Sequence, residues 1–388
     1  MFEIEEVRGQ QARIKVIGAG GAGGNAINNM IASNLHGVEF ISVNTDMQSL
    51  ENSLAPVKVQ IGAGLTRGLG AGSNPQIGRD AAIEDSALIA ENLEGSDMVF
   101  ITAGMGGGTG TGASPVIAGI AKEMGAITVA VITKPFFYEG KIRNMNAEEG
   151  IKELKKNVDT LIVIPNDKIS LVVEKGTPLL KSFAVANDVL KQAVQGISDI
   201  ILIPGLINVD FADVRTIIED KGGGVMGAGL GRGENGAIEA AKKAILNPLL
   251  QESSIEGAKG ILINITGGLE LSLNDVQEAV SFVYDSADED VHLIFGAVID
   301  ADIGDEVRVT VIATGFDEQR EKIDLPQVKR WTPIKRPLSY KGSERVLSKN
   351  LRADYRINLM SSDIISYEDH IDVPAFLRKA TQPPQKEL

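Results

Sequence analysis

Two glycine-rich segments without basic side chains are the first residues of this sequence whose types and spacing indicate chemistry. Residues 18–25 read GAGGAGGN and residues 104–114 read GMGGGTGTGAS, and each follows a short apolar run and precedes a helical pattern. Glycines leave backbone N–H groups accessible, and helix N-termini add partial positive charge, so two such segments side by side can bind a di- or triphosphate. Thr109 and Thr111 can add hydroxyl donors or contact a metal ion. The lysine-containing pattern GxxxxGK[ST] is absent, so we expect the main chain to bind the anion.

The segment NVDFADV at residues 208–214 is a second candidate centre. Asp210 and Asp213 are three residues apart, so on a helical turn both carboxylates face the same side. Acidic residues are also common at the exposed start of a helix, where the helix dipole favours negative charge. The spacing alone therefore leaves a catalytic role and a surface role open.

Alternating strand and helix patterns must position these residues. Short apolar, β-branched runs predict strands at 14–20, 38–46, 97–104, 126–135 and 160–167, and later at 260–268, 290–300 and 306–315. This order indicates an α/β fold with a Rossmann-like parallel sheet, helices on both faces and a second, smaller α+β domain. Ligands of such sheets lie at the carboxyl ends of the strands, where both glycine segments occur.

The composition along the chain predicts the domain boundaries. We expect an N-terminal extension (1–12), a nucleotide-binding domain (13–177), a long central helix with the acidic segment (178–220), a C-terminal α+β domain (221–316), a flexible linker (317–370) and a tail peptide (371–388). An apolar stripe at helical spacing indicates the long helix from 178 to 197. The glycines between 222 and 236 are interpreted as turns and a mobile hinge, and proline with mixed charge indicates flexibility after 317.

Composition and charge argue against several classes of protein. The net charge of −14, with the acidic excess in residues 1–316, disfavours binding to nucleic acid. The chain has no cysteine and three scattered histidines, so we expect neither disulfides nor a zinc site. No run of 18 or more apolar residues occurs, and the N-terminus does not resemble a signal peptide. We therefore expect a cytoplasmic protein that does not insert into membranes.

A set of motifs in a fixed order resembles the tubulin/FtsZ family. Besides the two glycine segments and NVDFADV, these are VNTD at 43–46, GAGSNP at 70–75 and IPND at 164–167, and the resemblance covers residues 13 to about 316. It implies a GTPase that binds GTP or GDP with Mg²⁺, the metal being held mainly by the phosphates and by no certain protein ligand. It also implies head-to-tail protofilaments of this chain at the bacterial division site, with an active site completed between subunits.

The same resemblance assigns roles to individual residues. The phosphates would be bound by Gly21, Ala22, Gly23, Gly24, Asn25, Ala71, Gly72, Gly107, Gly108, Thr109 and Gly110. Glu139 would bind the ribose hydroxyls and Arg143 a phosphate or the ribose, while guanine would lie near Phe183, with Asn166 and Asn187 at its edge. Asp210, Asp213 and Asn208 would position the attacking water, because phosphoryl transfer mainly requires an oriented water and charge neutralisation. Whether Asn187 or Asp188 contacts the base edge stays open, as does a requirement for K⁺.

The segment IDVPAFLRKA at 371–380 is similar to the tail peptide of that family. The similarity implies that Asp372 to Lys379 binds membrane-tethering and division-regulating proteins as a short docking peptide.

Two other classes of protein compete with a self-assembling GTPase. Gly18, Gly20 and Gly23 form a G-x-G-x-x-G pattern with Asp46 after the next strand, which is also typical of an NAD-dependent dehydrogenase with a Rossmann domain. That class lacks an evident proton-relay residue here. A nucleotide-binding adaptor would keep both glycine segments but would not need Asp210 and Asp213.

Overall fold

The structure is a computed structural model that describes residues 12–173, 176–203, 205–207, 209–219, 221–248 and 255–316. The linker predicted at 317–370, the tail predicted at 371–388 and residues 1–11 of the predicted extension lie outside these ranges. Asn208, one of the three predicted water-positioning residues, also lies outside them.

A single ten-stranded sheet runs through the described residues in the order β3-β2-β1-β4-β5-β6-β7-β10-β8-β9. Neighbouring strands from β3 to β7 are parallel, β10 is antiparallel to both β7 and β8, and β8 and β9 are parallel. The strands are β1 (Ile14–Ala19), β2 (Val38–Asn44), β3 (Val57–Gln60), β4 (Met98–Gly104), β5 (Ile127–Lys134), β6 (Thr160–Pro165), β7 (Gly222–Arg232), β8 (Gly260–Gly267), β9 (His292–Ile299) and β10 (Glu306–Thr314). The predicted mixed α/β fold with a mostly parallel sheet is confirmed.

Helices cover both faces of this sheet. They are α1 (Gly20–Ala32), α2 (Met47–Glu51), α3 (Ala63–Thr66), α4 (Pro75–Glu84), α5 (Ser86–Leu93), α6 (Thr109–Glu123), α7 (Lys141–Lys155), α8 (Asn166–Val172), α9 (Leu179–Leu202), α10 (Phe211–Ile218), α11 (Gly236–Ile245) and α12 (Leu273–Asp285). Short 3-10 turns occur at Phe137–Glu139 and Ala301–Ile303.

The apolar residues of the strands alternate between two cores. Val16, Phe40 and Phe100, which are aligned on neighbouring strands, face the core formed with α1, α9 and α10. Ile17 and Ile101, one position further along, face the core formed with α4, α5, α6 and α7. A third core lies between α11, α12 and the strands β8, β9 and β10. Strands buried on both faces are continuous apolar runs, which is why the sequence predicts them well.

Two helices begin earlier than the sequence indicates. The predicted helices start after the glycine segments, at Asn25 and Pro115, whereas α1 begins at Gly20 and α6 at Thr109. Glycine has a low helix propensity, but a β-carbon at Gly23 would lie 2.4 Å from the carbonyl oxygen of Thr102, so close packing on β4 requires glycine there. Pro115 therefore lies inside α6 and not in its first turn, the position that proline favours.

The interpretation of glycines 222–236 as turns and a mobile hinge is wrong for residues 222–232, whereas residues 233–235 do form a bend and a turn. Residues 222–232 form β7, an internal strand that pairs with β6 and β10. A β-carbon at Gly229 would lie 2.0 Å from the carbonyl oxygen of Ala240, and one at Gly231 would lie 1.9 Å from that of Gly236. The glycines allow α11 to pack directly on the backbone of this strand.

Helix α9 connects opposite edges of the parallel sheet. Near its start, the ring of Phe183 contacts the ring of Phe136, which follows the carboxyl end of β5. At its end, the side chain of Leu202 packs against Gly37, immediately before the amino end of β2. The helix therefore runs from the edge that carries the glycine segments to the opposite edge.

Candidate functional site

Three segments meet at the carboxyl ends of β1, β2 and β4. A β-carbon at Gly20 would lie 2.8 Å from the amide nitrogen of Gly110, and one at Gly108 would lie 2.7 Å from the β-carbon of Ala71. A β-carbon at Gly104 would lie 2.6 Å from that of Ala22. The structure thus brings together all the predicted phosphate-binding segments, including residues 71–72, which are far away in sequence from both glycine segments.

These segments leave open space beside their backbones. Apart from the adjacent residues in the chain and, for Gly21, the backbone of its own helix, no heavy atom of the described structure lies within 4 Å of the β-carbon positions of Gly21, Gly72 and Gly107. Thr109 is the first residue of α6, and Gly21 belongs to the first turn of α1, so two helix N-termini flank this space. Uncovered backbone and two helix N-termini fit the chemistry of a phosphate group.

Glu139 and Arg143 form one wall of the site. The Arg143 Nε lies 3.0 Å from the Glu139 Oε2, and the Glu139 carboxylate also accepts a hydrogen bond from the backbone N–H of Phe136 at 2.9 Å. A β-carbon at Gly106 would lie 2.7 Å from the carbonyl oxygen of Arg143, which places α7 directly beside the second glycine segment. Burial raises the pKa of the neighbouring Tyr138, and the carboxylate of Glu139 adds to this rise.

Asn166, Phe183 and Asn187 lie on two neighbouring helices, α8 and α9. Asn166 begins α8 after β6, is only 8% exposed, and its Oδ1 has no hydrogen-bond partner in the described part of the chain. Phe183 and Asn187 are four residues apart on α9 and so lie on the same face of that helix. A buried acceptor without a partner is costly, so it fits a donor of the ligand, such as an N–H of a purine base.

The neighbouring Asp188 has a partner of its own. Its Oδ1 lies 2.8 Å from the Nζ of Lys191, one turn further along α9.

The aromatic residue Phe136 was missed by the sequence analysis. It is 7% exposed, and its ring lies 5.9 Å from that of Phe183 at an interplanar angle of 84°. Phe136 holds the Phe183 ring by an edge-to-face contact, a geometry that aromatic pairs prefer. The two phenylalanines that directly follow Lys134-Pro135 after β5 were the available signal.

Asp210 and Asp213 lie together, away from the glycine segments. Asp210 immediately precedes α10, Asp213 belongs to its first turn, and both are exposed. Helix α10 ends against β6, where the Thr160 hydroxyl donates to the carbonyl of Ile218 at 2.6 Å. Thr160 is the amino end of β6, so the segment that contains the acid pair belongs to the edge opposite the glycine segments.

The described residues contain no group of three or more His, Cys, Asp or Glu side chains that is arranged to hold a metal ion. Within the same residues, no helix combines the length and apolarity that a membrane crossing requires.

Comparisons with known proteins identify the family. The model described as "Tubulin/FtsZ family, GTPase domain" matches residues 13–174, and the model described as "FtsZ family, C-terminal domain" matches residues 222–317. The structure of an empty FtsZ dimer from M. jannaschii is 45% identical, with 79% of this chain and 89% of that chain covered and a TM-score of 0.76. The chain belongs to the FtsZ family. A structure of a mutant of the M. jannaschii FtsZ agrees equally well, at 45% identity, 79% and 92% coverage and a TM-score of 0.75.

More distant structures share the FtsZ fold. CetZ2 from Haloferax volcanii, solved as a protofilament with GTPγS bound, is 20% identical, with 79% of this chain and 94% of that chain covered and a TM-score of 0.66. The GDP-bound CetZ1 monomer from the same organism is 21% identical, with 79% and 95% covered and a TM-score of 0.67. Membership in the FtsZ family confirms the resemblance found in the sequence and favours the GTPase hypothesis over a dehydrogenase.

Proposed function

We propose that this protein binds GTP, hydrolyses it to GDP and phosphate, and does so in head-to-tail filaments whose active sites are completed by the next subunit. The observation that carries this proposal is the separation of the two centres. Helix α9 has 24 residues, which at about 1.5 Å per residue corresponds to about 36 Å. Its start lies beside the proposed guanine site, and the acid pair follows its end. One molecule cannot bring Asp213 to a nucleotide bound at its own glycine segments, whereas a stacked second molecule can.

The glycine segments would hold the phosphates. Backbone N–H groups of residues 21–25, 71–72 and 107–110 provide hydrogen-bond donors without positively charged side chains. Arg143 adds a positively charged side chain to the site. Glu139 accepts hydrogen bonds from the ribose hydroxyls. Asn166 and Asn187 contact the guanine edge, and Phe183 contacts the ring face. Binding in this way fixes the terminal phosphate at the exposed edge of the sheet, where a neighbour can reach it.

The neighbouring subunit would supply the reacting water. Asp210 and Asp213 project from one side of the first turn of α10, and both carboxylates are exposed. Carboxylates can accept hydrogen bonds from a water and orient its lone pair toward the phosphorus, which is the main protein contribution to phosphoryl transfer. Mg²⁺, held mainly by the phosphates, would neutralise negative charge on them.

Exposed apolar residues at both edges support association of this chain with itself. Leu69, Phe137 and Ile142 are exposed beside the proposed nucleotide site, and Leu206 is exposed four residues before Asp210. Burying such residues against each other releases water and stabilises a contact between subunits. The M. jannaschii relative was solved as a dimer and the Haloferax CetZ2 as a protofilament, which supports the same type of assembly here.

Assembly-dependent hydrolysis can be measured directly. The specific GTPase activity of the full chain with Mg²⁺ should rise with protein concentration, in parallel with light scattering. Asp213→Ala should lose hydrolysis and keep GTP binding, because Asp213 belongs to the edge away from the nucleotide. A specific activity that stays constant on dilution would contradict the proposal.

The cellular role follows from the family. We propose that the filaments form the division ring at the cytoplasmic division site, and that residues Asp372 to Lys379 dock onto membrane-tethering and division-regulating proteins. Deletion of residues 371–388 should abolish binding to such partners and leave GTP hydrolysis nearly unchanged. Loss of hydrolysis in the truncated chain would show that the tail has a different role.

A further inference from the structure

Thr45 is a buried residue without an assigned role that contacts the proposed phosphate site. It immediately follows β2, has 0% of its surface exposed, and its Oγ1 lies 2.6 Å from the Oγ1 of Thr109. Thr109 begins α6 and is 8% exposed. The two hydroxyls come from segments 64 residues apart in sequence, so their contact is created by the fold.

The chemistry of the two hydroxyls determines which of them donates when an anion is bound. Each hydroxyl carries one proton, so in the Thr45–Thr109 pair one oxygen donates and the other accepts. A phosphate oxygen only accepts hydrogen bonds, so Thr109 can bind it only by donating its own proton. Thr45 must then donate to Thr109. Hydrogen bonds in such a chain polarise one another, and a charged acceptor strengthens the chain further.

The backbone of Thr45 also holds the segment that leads to Ala71. The Thr45 carbonyl accepts hydrogen bonds from the Thr66 hydroxyl at 3.2 Å and from the Gly70 N–H at 3.3 Å. Ala71, the next residue, packs against Gly108. These links use only the backbone of Thr45, so a side-chain substitution that keeps the shape of threonine tests the hydroxyl separately from them.

We propose that Thr45 is a positioning residue of the nucleotide site, whose hydroxyl donates to Thr109 so that the Thr109 hydroxyl donates to a phosphate oxygen of the nucleotide. This inference rests on the proposed function, since it requires a phosphate beside Thr109. In this role Thr45 does more than pack in the core, because its hydroxyl proton, and not the volume of its side chain, orients the hydroxyl of Thr109.

The test compares substitutions that keep the volume with substitutions that keep the hydroxyl. Thr45→Val should weaken GTP affinity of the full chain about 10-fold, whereas Thr45→Ser should stay within about 2-fold of wild type. Thr109→Val should weaken GTP affinity by a similar factor. The double variant Thr45→Val with Thr109→Val should bind GTP only slightly more weakly than either single variant, because both substitutions remove the same chain of hydrogen bonds. Thr45→Ala carries the same expectation if Thr45→Val does not fold.

A second measurement distinguishes positioning from general damage. Guanosine, which has no phosphate, should bind to wild type and to Thr45→Val with about equal affinity. The ratio of GTP affinity to guanosine affinity should therefore be lower in Thr45→Val than in wild type. Equal losses for both ligands, multiplicative losses in the double variant, or unchanged GTP affinity in Thr45→Val would each overturn the inference. If the wild-type chain does not bind guanine nucleotides, the proposed function itself fails.

Discussion

The backbones of Gly20 and Gly110 are so close that a β-carbon on Gly20 would lie 2.8 Å from the amide nitrogen of Gly110. This contact joins the N-termini of α1 and α6 into one site. Gly108 makes the corresponding contact with Ala71 on the third segment. Glycine at positions 20 and 108 therefore allows the three segments to approach each other closely. This close approach explains the high glycine content, which would otherwise only add to the loss of conformational entropy on folding.

Gly108→Ala should weaken GTP binding at least about 10-fold, because its new methyl group would push Ala71 away from the phosphate segment. Titration with a fluorescent guanine nucleotide measures the affinity. The matched control is Gly119→Ala in α6, the helix that Gly108 immediately precedes, where the new β-carbon would make an ordinary contact of 3.7 Å with Asn157. The control should bind normally. Equal affinity of the two variants would show that the segments need not touch.

Leu206→Glu should block filament formation and leave the affinity for GTP unchanged. Leu206 is 72% exposed and lies four residues before Asp210 in sequence, and a charge there would have to lose its hydration in a contact between subunits. Sedimentation with GTP and Mg²⁺ measures assembly. Leu246→Glu, at the end of α11 and 70% exposed, is the control of equal exposure and should still sediment. Normal assembly of Leu206→Glu would exclude this surface from the contact.

Asp199 should make the folded state less stable as the pH rises. It lies on α9 and is 9% exposed, and burial raises its pKa from 3.8 to about 6. The charge of Asp300 adds to this rise in the pKa, while a hydrogen bond with Gln195 and the charge of Arg308 oppose it. The folded state therefore binds this proton more tightly than the unfolded state. The resulting stability is fully present below pH 3.8 and is lost as the pH rises through about 6, which amounts to about 3 kcal/mol.

Asp199→Asn removes this pH dependence. We expect its free energy of unfolding to exceed that of wild type by about 2 kcal/mol at pH 8 and to differ little at pH 4. Urea unfolding without nucleotide at both pH values measures the difference. Asp188→Asn on the same helix, where the carboxylate is half exposed and paired with Lys191, should change little. A larger gain at pH 4 than at pH 8 would contradict the assigned sign.

The patterns of apolar runs and glycines in the sequence predict most of the fold and part of the site. The parallel sheet and the long helix follow from runs such as 97–104 and from the stripe beginning at 178. The convergence of Gly20 and Gly108 follows from the rule that ligand-binding segments lie at the carboxyl ends of parallel strands, whereas the place of Ala71 was implied only by the family resemblance. The family resemblance supplied the proposed roles of Glu139 and Asn166, which their residue types alone do not determine.

Other features depend on tertiary contacts that a local pattern does not contain. Strand β7 is glycine-rich because α11 packs on its backbone, so local propensity indicated turns instead of a strand. The Thr45–Thr109 hydrogen bond joins distant segments, and the burial of Asp199 results from the packing of α9 on the sheet. Neither a threonine nor an aspartate in a sequence reveals a partner of this kind.

The central claim is that one subunit binds the nucleotide and another supplies the acid pair, and a mixing experiment tests it most directly. Asp213→Ala keeps the glycine segments, and Gly108→Asp keeps the acid pair but places a negative charge in the phosphate site. Each variant alone should lack GTPase activity. An equimolar mixture should recover activity, because Asp213 of the second variant can reach the nucleotide of the first. A mixture that stays inactive although the two variants associate, or an Asp213→Ala variant that hydrolyses GTP at the wild-type rate, would contradict the claim.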